Sequence, residues 1–452
     1  MTRAMGAALR RIQLGNALSA FGNGFTVPYL YVYVAKVRDL GASTAGTVLA
    51  MLAVAALFVL PFTGRAIDRR GPLPVAVVGT VCAAVGSLGI GLSGSAPLVI
   101  AAAVALGAGI AVIQPALATM IVWSSTPATR SRAFATQFFL NNLGLGVGGL
   151  LGGLLVDASH PASFVRLFGI EAAMFLVLGA AIASVRLPSS PRVADEVPGA
   201  EPARGAWRAL LADRRMVWLC LLGFVMFFAC YGQFESGLAA YATEVTRVAP
   251  STMGVALAAN TAAIVAAQFV VLRLVEHRRR SRVVATVGLL WAVAWMAAGL
   301  SGLVHGAAVA TVLLVSTYAL FGLGESLLSP TVNPLVADLA PSPLIGQYNS
   351  AFALVKQMAL AVGPAAGSLM VGHGLYTAYI GLLLACALGV TVLSLRLGRL
   401  LAPAQDRPHP REASPSEPGG LPGPAEDAAA SAPVVATGEA ERADSVTCGS
   451  AG

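Results

Sequence analysis

Residues Leu73 to Gly94 read LPVAVVGTVCAAVGSLGIGLSG and Leu98 to Ile121 read LVIAAAVALGAGIAVIQPALATMI, and neither stretch holds a charge. A helix rises 1.5 Å per residue and the hydrocarbon core of a bilayer is about 30 Å thick, so about 20 apolar residues with internally closed backbone hydrogen bonds can cross it. Val283 to Leu303 and Leu375 to Leu397 pass the same test. Working outward from them gives expected spans at 12–35, 43–63, 73–94, 97–122, 133–156 and 164–187, then at 215–240, 251–275, 283–303, 307–335, 347–371 and 373–399. The chain is 57% hydrophobic and 11% charged, against about 25% charged in ordinary soluble domains. The expected fold class is therefore an all-α integral membrane protein with 12 transmembrane helices.

Charge sets the orientation, because short loops rich in Lys and Arg stay in the cytoplasm. One set of loops holds Arg65, Arg69, Arg70, Arg130, Arg132, Arg278, Arg279, Arg280 and Arg282, while the opposite set has only Lys36, Arg38, Arg166 and Arg247. Both termini are expected on the cytoplasmic side of a bacterial inner membrane, in a multi-pass protein. The net charge of +8 then reflects orientation and lipid headgroups and requires no nucleic acid. The first apolar run is too long for a cleaved signal and lacks a small-residue cleavage site.

Two segments differ in composition. Residues 188–214, rich in Pro, Ala, Glu and Arg, read as a cytoplasmic linker between an N-terminal six-helix bundle (1–187) and a C-terminal one (215–400). Residues 401–452 hold few large apolar side chains and are expected to form a disordered cytoplasmic tail, dispensable beyond Pro403. The five cysteines show no CxxC spacing, so neither a metal site nor a disulfide is indicated. No nucleophile cluster or cofactor fingerprint stands on a soluble domain, so no enzymatic function is expected.

Shifting the chain against itself by 215 residues places Gly107 on Gly322, Gly109 on Gly324, Pro115 on Pro330, Gly148 on Gly363 and Gly152 on Gly367. Gly and Pro set kinks and close helix approach, so their recurrence points to two related halves.

The loop after the second expected span, Gly64-Arg-Ala-Ile-Asp68-Arg69-Arg70-Gly71, resembles the G-x-x-x-D-R/K-x-G signature of the major facilitator superfamily. That resemblance implies two six-helix halves around a central cavity and a latch in which Asp68 caps and charge-pairs with neighbouring helix ends and balances Arg69 or Arg70, with Gly64 and Gly71 in their motif positions. The usual run of further basic residues is replaced by Pro72, Leu73 and Pro74. The fifth span carries Gly144-Leu-Gly146-Val-Gly148-Gly149-Leu-Leu-Gly152-Gly153, similar to the glycine-rich antiporter motif G-P-x-x-G-G with Gly149 in place of its proline; Gly363-Pro364-Ala-Ala-Gly367 restores the proline in the eleventh. The ridges Gly148, Gly152, Gly153 and Gly363, Pro364, Gly367 are candidate packing hinges. The fourth span lacks the arginine that many proton-coupled members carry.

Four ionisable residues fall inside expected spans: Glu171, Glu235, Glu325 and Lys356. A charge at mid-bilayer costs several kcal/mol and needs a partner or a wet cavity. Counting from the helix ends puts Glu325 and Lys356 both roughly 15 Å deep on adjacent antiparallel helices, so a switchable salt bridge is expected there. Glu235 is a further candidate for proton coupling, and Glu171 is expected to pair with Arg166. Asn16, Ser19, Asn23 and Thr26 share one narrow helical arc. With Tyr29, Tyr33, Gln114, Gln137, Asn141, Tyr231, Gln233 and Asn260, and with Asn142, Gln357, Trp291 and Trp295 beside them, they are candidate lining for an organic solute.

The favoured reading is a monomeric secondary transporter, of the kind represented by the 12-helix drug:proton antiporters. It would export a small organic or drug-like solute by proton antiport, with the proton gradient as energy source and no cofactor. Its partners are the solute and membrane lipids. Import or facilitated uptake of a nutrient is the alternative within transport, and a non-transporting membrane sensor the alternative outside it.

Overall fold

The computed structural model describes residues 3–156, 160–187, 204–234, 236–248, 250–276 and 278–407, and every regular element among them is helical. The long helices are α1 (Arg3–Thr26), α2 (Gly41–Arg70), α3 (Pro72–Leu92), α4 (Ala96–Trp123), α5 (Pro127–Leu155) and α6 (Pro161–Ala183). They are followed by α7 (Arg214–Ala229), α8 (Pro250–Glu276), α9 (Arg280–Ser301), α10 (Ala307–Leu339), α11 (Ile345–Gly372) and α12 (Tyr376–Leu400). Ten helical segments among the described residues are long and apolar enough to cross a membrane.

Punctuation residues set the boundaries. Gly71 ends α2 with φ +85°, a backbone conformation open to glycine, and Pro72 opens α3, where its missing N–H goes unneeded in a first turn. Thr126 and Thr129 form a capping box ahead of Pro127 at the start of α5. Asp213 caps α7, accepting from the backbone N–H of Arg215 at 3.0 Å.

Three expectations about extent need correction. The first helix starts at Arg3 and yields at Thr26 to an irregular stretch over 27–37, because Pro28 supplies no N–H to continue the ladder. With Arg10, Arg11 and its polar stripe, α1 is less apolar than the ten spans, and in α8 the apolar run is the shorter Thr252–Gln268. Third, the segment just past Pro403 is packed: Pro403–Asp406 forms a helical turn and Asp406 is buried. Within the expected linker, 188–203 lie outside the described residues and Arg204–Ala212 is a helix; of the expected tail, 408–452 lie outside them.

Apolar packing divides the bundle. One large core draws on residues between Ala8 and Leu187, the other on residues between Trp207 and Leu401. Two small clusters join them, one of Ile121, Val122, Ala133 and Phe134 with Ala337, the other of Ala56, Leu60 and Ala111 against Ala353 and Leu354. Large apolar side chains such as Phe58, Phe62, Val78, Leu150 and Leu154 stand outward and exposed, as lipid-facing positions do.

Candidate functional site

The hydrogen bonds between the two cores lie, among the described residues, in the half of the bundle that carries the arginine-rich loops. Asp68, two residues before the end of α2, accepts from the backbone N–H groups of Gly346 at 2.7 Å and Gln347 at 3.0 Å, the first turn of α11. Those N–H groups have no acceptor within their own helix and carry its positive dipole end, so the carboxylate satisfies them in both respects. The approach is close: a Cβ on Gly64 would strike the backbone of Gly346 and Gln347. Asp68 thus takes the expected place at a neighbouring helix end, while Arg69 and Arg70 are exposed and neither forms an ion pair with it, because Asp68 points across to the second core.

The charge pairing of this end lies elsewhere. Asp338, at the end of α10, takes Arg130 of α5 on Oδ1 and Arg280 of α9 on Oδ2, the latter at 2.6 Å. Sequence reasoning used both arginines only for orientation and passed over Asp338. A lone carboxylate ending a long apolar helix on the arginine-rich side was the available signal. Asn349 donates to Thr119 at 3.2 Å, Ser329 to the Phe134 carbonyl at 3.0 Å and Gln268 to the Ala135 carbonyl at 3.1 Å. The cleft between the cores is thus laced shut at the basic end.

Toward the opposite end the first core presents an uncharged polar wall. Asn16 Nδ2 donates to Asn141 Oδ1 at 3.3 Å. A small pocket gathers Asn16, Ser19, Asn23, Gln114 and Asn141 with Ile110 and Phe175. Asn23 Oδ1 and Gln137 Oε1 are buried acceptors without a donor among the described residues, the kind of group that a ligand or water satisfies. The polar arc divides at Thr26, which bonds back to the Asn23 carbonyl at 3.3 Å. Tyr33 is a correction. It is fully buried behind the wall, donating to the Gly91 carbonyl at 2.5 Å, accepting from Arg38 at 2.7 Å and stacking on Phe164, because the break at Pro28 turns it away from the cleft. Tyr29 lies against Gly152 and Gly153.

The second core presents charge. Glu325 on α10 is 4% exposed. It accepts from Asn260 Nδ2 at 3.1 Å and has the Tyr231 hydroxyl as its other polar neighbour. Lys356 on α11 is half-buried, within electrostatic reach of Glu325, with Nζ 5.3 Å from the centre of the Phe227 ring. The two charges come together as expected from their depths but form no direct ion pair, since Asn260 holds the carboxylate and Phe227 the ammonium. Glu235 lies outside the described residues.

Other expectations fail for a shared reason, a full set of protein partners. Gln233 is fully buried, donating to the carbonyls of Phe228 at 3.0 Å and Gly363 at 3.1 Å and accepting from Tyr379 at 3.1 Å, so it fastens the broken α7 to α11 and α12. Trp291 and Trp295 are fully buried in the second core. Glu171 accepts from Ser87 at 2.6 Å, and Arg166 bonds to its own helix at Ala162.

The glycine ridges sit where helices touch. Gly148 meets Phe21 and Gly24 of α1, Gly152 meets Phe25, and on the other side Gly363 and Gly367 meet Gly232 and Gly237 beyond α7. A side chain at Gly148 would strike the Phe21 backbone and drive the two helices apart, and one at Gly367 would strike the amide oxygen of Gln233. Pro364 lies inside α11.

Comparison with known proteins agrees with this architecture. A family model described as Major Facilitator Superfamily matches residues 12–364 and 237–439. The chain is 23% identical over 359 residues to the uncharacterized MFS-type transporter YdeE of Escherichia coli (strain K12), covering 77% of this chain and 86% of that one. It is 29% identical over 150 residues, 31% of this chain and 36% of the other, to multidrug resistance protein 2 of Bacillus subtilis (strain 168). In fold it is similar to a bacterial homologue of the iron transporter ferroportin in the outward-facing state, with TM-score 0.72 and 15% identity, covering 87% of this chain and 99% of that one. It is also similar to the Escherichia coli fucose:proton symporter FucP, with TM-score 0.69 and 13% identity, covering 87% and 99%. Helical spans, two apolar cores with a cleft between them, and a family match over most of the chain make this protein a member of the Major Facilitator Superfamily, a multi-pass membrane transporter.

Proposed function

We propose that this chain exports a small organic solute in exchange for protons by alternating access. In this reading α1 and α8 also span the membrane, giving twelve spans in two six-helix halves. Both termini face the cytoplasm of a bacterial cell, and the unit is a monomer. The basic end is then cytoplasmic, and cores laced together at that end correspond to an outward-facing state.

One observation carries the coupling assignment: Glu325 is a buried carboxylate on the cleft wall, held by Asn260 and neighboured by Lys356 without a direct ion pair. A carboxylate fixed in a tight bidentate pair keeps its charge in every state, whereas one held by a neutral amide can change protonation when its neighbours move. Solute would meet the amide wall of Asn16, Asn23, Gln114, Gln137 and Asn141. Helix movement would pivot on the ridges of Gly148, Gly152, Gly153, Gly363, Pro364 and Gly367, and Asp68 would hold the cytoplasmic end closed. Resemblance to a multidrug resistance protein over 150 residues supports export. The uncharged first wall favours a second reading, proton-coupled uptake of a hydroxylated nutrient.

The test is accumulation of a compound panel in an efflux-deficient bacterial host with and without a protonophore. Export predicts that expression lowers accumulation of at least one compound, and that the protonophore abolishes the difference. Raised accumulation would replace export with uptake, and insensitivity to the protonophore would remove proton coupling.

A further inference from the structure

Beyond α12 the chain turns back on the bundle. Leu401 and Ala402 are extended, Pro403–Asp406 makes one helical turn, and Asp406 is 3% exposed. Its carboxylate accepts from the backbone N–H of Ser281 at 2.8 Å and from the Ser281 hydroxyl at 2.9 Å. Both belong to the first turn of α9, where N–H groups lack helical acceptors. Gln405 adds two ties: its carbonyl accepts from Arg280 Nη1 at 3.1 Å and its side-chain oxygen accepts from Arg215 at 3.0 Å. Gly398 makes room, since a Cβ there would strike the side chain of Ser281.

Arg280 connects this segment to the gate. Its side chain is fully buried, its Nε and Nη2 have no partner among the described residues, and its Nη1 is shared between the Gln405 carbonyl and Asp338 Oδ2. A guanidinium free to turn would take both oxygens of a carboxylate in the bidentate arrangement it prefers. Held from behind by Gln405, Arg280 takes Oδ2 alone. Oδ1 is left for Arg130, the arginine that arrives from the other core.

We propose that residues 402–407 form a strap that positions Arg280 so that Asp338 keeps one oxygen for Arg130, and thereby favours closure of the basic end. Asp406 and Gln405 are positioning residues in this scheme, acting through Arg280. Cleavage of the strap frees Arg280 to engage Asp338 with two nitrogens, which displaces Arg130 and weakens the lock between the cores. The proposal rests on the alternating-access reading, in which the basic end opens and closes.

The experiment is a spin-label distance distribution across the basic end, with labels replacing the exposed residues Arg69 and Arg278 in the full chain after its native cysteines are removed. It compares wild type, chains ending at Leu401 or at Arg407, and Asp406→Asn. Ending at Leu401 should lower the ratio of short to long distances by about tenfold or more, the scale of one lost charge-assisted hydrogen bond. Asp406→Asn should shift it in the same direction, and ending at Arg407 should leave it unchanged. In an Arg130→Ala background neither change should have further effect. A strap that only stabilises the second core would lower the melting temperature and leave the distances unchanged, which overturns the proposal; so would an equal additional shift without Arg130. If the chain ending at Leu401 does not fold, Asp406→Asn decides between the same two outcomes. A single distance in wild type under all conditions would overturn the alternating-access reading and the strap together.

Discussion

The two walls of the cleft stand on one repeat and carry different chemistry. With the 215-residue shift, Ile110 corresponds to Glu325 and Asn141 to Lys356. The Gly148 and Gly152 ridge corresponds to Gly363 and Gly367, and each ridge packs its helix against an equivalent neighbour. The repeat has therefore kept what sets helix approach, while the side chains facing the cleft have diverged. On the first wall an amide meets an amide and no charge is present; on the second a carboxylate and an ammonium are held apart by an amide and an aromatic ring. In the proposed mechanism the neutral wall holds solute and the charged wall holds the proton, so each can be altered separately.

The largest expected effect is that of Glu325→Gln, which makes the second wall as unable to change charge as the first. Gradient-driven transport should fall to background while solute exchange across proteoliposomes persists. A double variant, Glu325→Gln with Lys356→Met, should stay uncoupled; recovery of full gradient-driven transport would turn the pair into a packing device. Next is Lys356→Asn, which copies the first wall onto the second. It removes the cation nearest a buried carboxylate and should slow transport by about tenfold, the scale of one desolvated charge interaction. An unchanged rate would confine Lys356 to its contact with Phe227.

Asp68→Asn acts outside both walls and tests the lacing. An amide cannot match a carboxylate at a helix N-terminus, so the closed state should weaken by about 1 kcal/mol, read as roughly fivefold slower transport at normal expression. Transport at the wild-type rate would remove Asp68 from the latch. The smallest effect is expected from Asn16→Ala, which deletes one hydrogen bond to Asn141 on the neutral wall. Solute affinity should drop by about 1 kcal/mol, a factor of roughly five, with the dependence on the proton gradient intact. A changed gradient dependence would mean that the walls are not separable.

The features legible in the sequence were those fixed by local spacing. Apolar runs longer than a bilayer gave the spans, the steps of three and four between Asn16, Ser19 and Asn23 put them on one face, and the loop motif put Asp68 at a helix end. Depth counting brought Glu325 and Lys356 to the same level. Features that depend on what lies opposite were not legible. Gln233 and Tyr33 are polar residues near a cleft, yet each is consumed by carbonyls and hydroxyls from distant segments. Asp338 joins an arginine 208 residues away, a pairing that no helical period encodes. The strap was missed because a composition poor in apolar residues hides one aspartate that caps a helix 125 residues earlier.

The separation of roles is tested most directly by proton release. When the solute identified by the compound panel is added to purified, weakly buffered protein, wild type should release protons into solution and Asn16→Ala should do so at higher solute concentration. Glu325→Gln should bind the solute and release none. Undiminished proton release from Glu325→Gln would contradict the account and move coupling away from Glu325, with Glu235 the next carboxylate to replace.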